Sequence, residues 1–503
     1  MKRFLTIVLS MGVLLSVLAA CGRGNTVLTV YFLGASVLED DAVVEAANAR
    51  LSELGLDFEI RPIWGGWGAG EPIQLALDTG DTGIDVVFTS SWAVNFWSNA
   101  RRGNFIRLDD PDDNLLARYG QGVLATVPQM LWNAFTVDGA RGVGVYGVPG
   151  YKDFAQMYAW DVNNTRLEEL GFSFYDFNWS YDTFFNPLFE AALVAAKERY
   201  GPTFFPLVVE PELFVRALSN SDLDPTGLGL FHFGFDPANP SLPINPAVGL
   251  NFENDRYMRV LERLHDFFER GFIDPRVAIA AEAPSAVVEL RNSGQYLFSI
   301  IVYAYGHTAA ASTARGIDSR FPPVSRPIVS SISAVGSGYA ISVYSQNRAE
   351  AMQFLNAWYT DTQLATILAY GVEGTHFTRN ANGTVTRNTD MMAQFSPWRF
   401  GMGNIFVLPP TDIDGPDYFA SFRAYNQAGV ATTFLGFAFD EDPVITEIAA
   451  LRNVQAEFHT VVTTGAVNPA VTVPQYLQRL NDNGLERVRE ELNRQLQAFY
   501  ASR

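Results

Sequence analysis

A chain of 503 residues, 48% hydrophobic and 18% charged, carries enough apolar side chains for more than one compact unit and too many for a disordered protein. Its formal net charge of −19 argues against nucleic acid as a partner, because holding phosphates takes basic patches.

The first twenty residues read as an export signal. Lys2 and Arg3 precede an apolar run from Phe4 to Ala20. That run is short for a membrane span, which takes about 20 apolar residues, and it ends in small residues as a secretory segment does. "LAAC" (18–21) places the only cysteine of the chain, Cys21, against that segment. One cysteine permits no internal disulfide. The tetrapeptide resembles the lipobox of bacterial lipoproteins, and the resemblance implies that Cys21 is lipidated and becomes the new N-terminus. Residues 21–26 then form a tether.

Strands and helices alternate from there. "TVLTVYFL" (26–33) is β-branched and aromatic and predicts a strand. "LEDDAVVEAANARLSEL" (38–54) has helical spacing with acids in its first turn. "LDFEIRPIW" (56–64) predicts a second strand, "IQLALDTG" (73–80) a short helix, and "GIDVVFTS" (83–90) a third strand apolar enough for a buried parallel sheet. "WAVNFWSNARRG" (92–103) predicts a helix stopped by Gly103. This is the start of an open α/β sheet, whose ligands bind outside the carboxyl ends of the strands. "VYGVPGYKD" (145–153) reads as a crossover to a second lobe, and "RNSGQYLFSIIVYAYG" (291–306) as a strand returning to the first. The last part is helical, ending in "GLERVREELNRQLQAFYAS" (484–502).

Several phrases carry a family resemblance. "SQNRAEAMQFLNAWYTD" (345–361), "YGVEGTHF" (370–377), "WRFGMGNIF" (398–406), "LGFAFDEDPVITEIA" (435–449) and "LNDNGLERVREELNRQLQAF" (480–499) resemble, in order, blocks of the extracellular solute-binding lipoproteins of ABC importers, in the subfamily that carries a C-terminal DUF3502 domain. The resemblance implies an α/β, two-lobed periplasmic-binding-protein-like fold of type II. Mixed sheets are flanked by helices, and the C-terminal part is largely helical. Residues 1–20 would be the signal, 27–148 and 291–343 lobe 1, and 149–290 and 344–503 lobe 2, with the DUF3502-like region over 360–503. It further implies a monomer, lipid-anchored to the outer face of the cell membrane. This would capture a small solute, an oligosaccharide above all, and deliver it to permease subunits with no cofactor or metal and no catalysis. The lysine that relatives often carry after the second strand is absent from "EPIQLAL", and their Lys-Pro-Gly is replaced by "AYGHTAA" (304–310). The ligand therefore differs from that of typical relatives, or is held differently.

A sugar offers apolar C–H faces and a rim of hydroxyls, so its cleft calls for aromatic rings beside amides, acids and arginines. Trp64 and Trp67 flank a loop with four glycines in six residues, at the end of the second strand. They either stack on ligand or pack under the loop as a lid for the sheet. Trp92, with Ser90, opens the helix after the third strand, where free N–H groups would meet a polar ligand; the other reading packs Trp92 between helix and sheet. Tyr151 and Lys152 follow the crossover, and Lys152 is either a ligand contact or a surface charge. Trp398 and Arg399 lie on a Gly-rich stretch that would close over the cleft. Glu373 and His376 are expected to form a structural pair rather than hold metal. "SDLDPTGLG" (221–229) is broken as a calcium loop, because Phe233 stands where the bidentate Glu belongs. Trp160 and Trp358 are expected in the core. Two other functions stay open: a lipid-anchored glycoside hydrolase using two carboxylates, and a glycan-binding sensor or adhesin without transport.

Overall fold

The β-branched run "TVLTVYFL" becomes strand β1 (Thr26–Leu33). Helix α1 (Asp41–Glu53) begins at Asp40, whose carboxylate accepts from the Ala42 and Val43 amides and satisfies two of the donors a helix start leaves unpaired. Strand β2 (Phe58–Gly65) buries Phe58, Ile60 and Pro62 on one face with the period of a strand. It lies at the sheet edge, where a proline costs no ladder hydrogen bond. Helix α2 (Gly70–Thr79) leads to β3 (Val86–Thr89), which is buried throughout. Helix α3 (Phe96–Arg102) is capped by Asn95 and stopped by Gly103 at φ +79°. A later short strand, β4 (Val148–Pro149), ends this stretch. The structure is a computed structural model describing residues 26–33, 40–66, 70–80, 83–219, 224–236, 239–303, 305, 312, 315–392, 395 and 401–501. The expected signal, Cys21 and its tether, Trp67, Trp398 and Arg399 lie outside the described residues.

The chain then builds a second sheet. Strands β5 (Met157–Asn163) and β6 (Leu207–Val208) are followed by helices α4 (Leu213–Ser219) and α5 (Asp255–Glu269). Helix α5 buries Tyr257, Val260, Leu261, Leu264 and Phe267 along one stripe. Strands β7 (Phe298–Tyr303) and β8 (Ser319–Arg320) complete the order β8–β5–β7–β6, with β7 antiparallel to β5 and parallel to β6. Strand β9 (Ile328–Val329) leads back. Strand β10 (Gly338–Ile341) enters the first sheet, whose order is β2–β1–β3–β10–β4; β1 is parallel to β2 and β3, and β10 is antiparallel to its neighbours. Helices α6 (Arg348–Thr360), α7 (Thr362–Tyr370) and α8 (Tyr418–Gln427) pack on that sheet. Strand β11 (Val430–Ala431) crosses once more, and α9 (Ile445–Thr463), α10 (Pro469–Asp482) and α11 (Leu485–Ala501) join the second core.

The described residues form two cores. The first holds Val30, Val87, Ala155, Val329, Leu355 and Trp358; the second holds Trp160, Leu261, Phe298, Val324, Leu451 and Leu492. Trp160 and Trp358 are buried as expected. Among the described residues the chain passes between the cores at three places, near 155–157, 327–329 and 430–433. Gln156 and Ile328 exchange backbone hydrogen bonds of 2.9 and 2.8 Å, and β9 lies parallel to β11.

This pattern corrects the expected boundaries. The strand in 291–306 does not return to the first lobe; it pairs with β5 and β6 in the second. Residues 344–503 are likewise not one block of lobe 2, because Met352, Trp358 and Phe406 sit in the first core. An apolar strand and an amphipathic helix read the same whichever sheet receives them. The first crossing also falls just after "VYGVPGYKD", whose β4 still pairs with β10.

Candidate functional site

A cavity of about 650 Å³ opens between the lobes. Its lobe 1 wall is made by the turn after β3 and by α3. Thr89 Oγ1 donates to the Val94 carbonyl at 2.6 Å, and Ser90 Oγ donates to the Ala93 carbonyl at 2.9 Å while accepting from the Ala93 amide at 2.8 Å. These bonds hold Val94 at φ +45°, a left-handed conformation that β-branched residues rarely adopt. The turn pushes Trp92 out to 49% exposure. Its indole N–H donates to the Gly336 carbonyl at 3.0 Å, so the ring is fixed while much of it stays open to the cavity.

Gln156, Ile332 and Gly336, next to the crossing strands, also border the cavity. Its lobe 2 wall includes Arg216 from α4 and the turn Asp224–Gly227. Asp224 is buried. Its carboxylate accepts from the Thr226 amide and hydroxyl at 2.8 and 2.6 Å and from the Leu230 and Phe231 amides at 3.0 and 3.1 Å. Burial raises its pKa and these bonds oppose the rise. Its oxygens organise the turn. Among the described residues no group of three His, Cys, Asp or Glu is placed to hold a metal ion.

The charges lining the cavity balance. Arg101, Arg102, Arg216 and Arg452 face Asp224, Asp440, Glu441 and Asp442. The arginines are also engaged within the protein. Arg101 donates to the Ala438 and Phe439 carbonyls, Arg216 pairs with Glu212 at 3.1 Å, Arg452 with Glu441 at 3.3 Å, and Arg102 stands 3.8 Å from Asp78. The described walls thus hold apolar surface and hydrogen-bonding groups without surplus charge.

Of the residues expected at the site, Trp92 alone among the described ones lines this cavity. Trp64 belongs to β2 and not to the loop; it stacks on Phe32 at 4.3 Å and meets Phe395 edge-on at 5.9 Å. Ser90 is fully buried and its hydroxyl is occupied by the turn, so its neighbour Ser91 borders the cavity instead. Tyr151 packs on Phe406 at 4.4 Å, and its amide donates to the Gly403 carbonyl at 2.7 Å. Lys152 is 3% exposed and pairs with Asp153; burial lowers its pKa and Asp153 opposes the shift. It is not a surface charge, and it does not line this cavity. Glu373 and His376 do not pair. His376 Nε2 donates to Asp40 at 2.9 Å and Nδ1 accepts from the Val372 amide at 3.0 Å, while Glu373 pairs with Arg379 at 3.0 Å. Sequence reasoning missed Asn95, Arg102, Gln156, Arg216, Ile445 and Arg452. They come from elements distant in sequence, and no local pattern sets them apart.

Residues 433–501 match a family described as a domain of unknown function, DUF3502. Those residues form a DUF3502 domain. The DUF3502 match is narrower than the 360–503 expected, and it begins where the chain crosses to lobe 2 for the last time. The chain is 25% identical, over 96% of its length and 95% of the relative's, to a carbohydrate ABC transporter substrate-binding protein of Streptococcus pneumoniae serotype 4 (strain ATCC BAA-334 / TIGR4). The fold is that of the N-glycan transport solute-binding protein NgtS of Streptococcus pneumoniae, at TM-score 0.80 and 23% identity over 94% of this chain and 99% of that one. The structure of NgtS in complex with Man5GlcNAc aligns at TM-score 0.71 and 22% identity, covering 95% and 99%. No helix among the described residues is long and apolar enough to cross a membrane.

Proposed function

We propose that this protein is the substrate-binding component of an ABC importer and captures a neutral oligosaccharide between its lobes. The observation that carries the reading is Trp92. It is a half-exposed ring pinned by its N–H beside the crossing strands, in a cavity whose described walls carry balanced charge. A flat apolar face with amides, arginines and carboxylates around it is what a sugar ring needs. The carbohydrate-transport relative supports the same class of ligand. The crossings among the described residues are thin, and such links permit two lobes to close on ligand by hinge motion. Ligand touching both lobes stabilises the closed form over the open one. Lipidation at Cys21 would hold the protein at the outer face of the membrane as a monomer beside its permease subunits, which take up the captured glycan. The protein itself breaks no bond.

Calorimetric titration of the mature protein with Man5GlcNAc and with a uronate oligosaccharide tests this. Binding of the neutral glycan alone, with the glycan recovered intact, is the expected result. Exclusive binding of the uronate, or cleavage of the glycan, would overturn the reading.

A further inference from the structure

The lobe 2 wall of the cavity is built in large part by the DUF3502 domain. Asp442, Ile445 and Arg452 all border the cavity and all fall within 433–501. Ile445 is the first residue of α9 and is 49% exposed. The first turn of a helix favours acids and capping residues, and an isoleucine half out of the core gains little from the fold there. Ile445 and Arg452 are seven residues apart, two helical turns, so they share one face. Ile448, about one turn from each, and Leu451 enter the core, so Ile445 and Arg452 stand at the edge of the buried stripe. Both residues line the cavity, and across it lobe 1 presents Trp92, exposed to the same extent. Asp442, just before the helix, has no side-chain partner among the described residues.

We infer that the DUF3502 domain is the second jaw of the ligand site. A saccharide ring lies with one apolar face on Trp92 and the other against Ile445, while Asp442 accepts from and Arg452 donates to its hydroxyls. This rests on the oligosaccharide reading above. It assigns the domain a direct part in ligand selection, and not only a part in completing the core of lobe 2.

The test compares the mature wild-type protein with Ile445→Asp and with Asp442→Asn/Arg452→Gln on a glycan array, then by calorimetry with the best-retained neutral glycan. Melting temperature reports folding, and an Ile413→Ser variant at another exposed isoleucine serves as control. The expected result is a loss of at least about tenfold in affinity for both jaw variants, with melting temperature and the control unchanged. Wild-type binding with the jaw variants within about twofold of it would overturn the inference and leave the oligosaccharide reading standing. Retention of no glycan by the wild type would overturn both.

Discussion

Asn426 donates from its side-chain amide to the Lys152 carbonyl at 2.6 Å, and its side-chain oxygen accepts from the Ala155 amide at 3.3 Å. It is buried near the end of α8, four residues before β11. One side chain thus ties the first crossing strand to the element that feeds the third. The buried Lys152–Asp153 pair sits beside the same clasp, which gives that lysine a structural role.

Asn426→Ala leaves a buried carbonyl and a buried amide without their partner. Each such group costs about 1–3 kcal/mol, so urea unfolding should show a loss of roughly 2–6 kcal/mol. An unchanged midpoint would mean that the crossing strands hold one another without the clasp.

Trp64 and Trp92 should separate stability from binding. Trp64 stacks on Phe32 and touches Phe395, so Trp64→Ala removes core packing and should cost about 3 kcal/mol. Trp92 is half-exposed, so Trp92→Ala should leave the melting temperature nearly unchanged and weaken glycan binding about tenfold or more. Thermal melts and titrations on both variants check this; equal effects of the two would remove the distinction.

The alternation of β1 to α3 was legible from each element's own period, and Gly103 marked the end of α3, but the helix expected from Trp92 starts only at Phe96, after the turn that Asn95 caps. Trp92's place on the cavity wall was legible because it follows a strand end. Ser90 and Lys152 were misread for a common reason. A hydroxyl or ammonium looks available in sequence, and only the folded turn shows Ser90 closing on Ala93 and Lys152 buried on Asp153. The three crossings were illegible because Gln156, Ile328 and Val430 are ordinary residues, and their meeting joins parts of the chain more than a hundred residues apart.

Glu212 predicts an acid limit to stability. Burial alone would raise its pKa. His459, with Nε2 at 3.4 Å, and Arg216, at 3.1 Å, outweigh burial and hold it at about 2 against an ordinary 4.5. A carboxylate depressed in the folded state stabilises above its unfolded pKa and loses that contribution as pH falls through the folded value. The window is therefore about pH 4.5 down to 2, and the contribution is of the order of 3 kcal/mol at 1.4 kcal/mol per unit. Unfolding free energy should fall more steeply across this window in the wild type than in Glu212→Gln. Parallel curves would place the acid sensitivity elsewhere.

Arg101 joins the lobes away from the crossing strands. It lies on α3 in lobe 1, and its two terminal nitrogens donate to consecutive carbonyls of the chain entering the DUF3502 domain, Phe439 at 3.0 Å and Ala438 at 2.9 Å, with Asp440 3.8 Å away. A planar guanidinium spans two carbonyls at once, and a lysine ammonium of the same charge does not. If the grip is geometric, Arg101→Lys should behave nearly like Arg101→Ala. Both should lose about 1–2 kcal/mol of stability and show faster amide exchange over 438–445, the stretch that leads to Ile445. If charge pairing with Asp440 is what matters, Arg101→Lys should retain wild-type exchange and Asp440→Asn should reproduce the loss. Exchange over 438–445 measured on these variants together decides whether the DUF3502 wall is held to lobe 1 by shape or by charge.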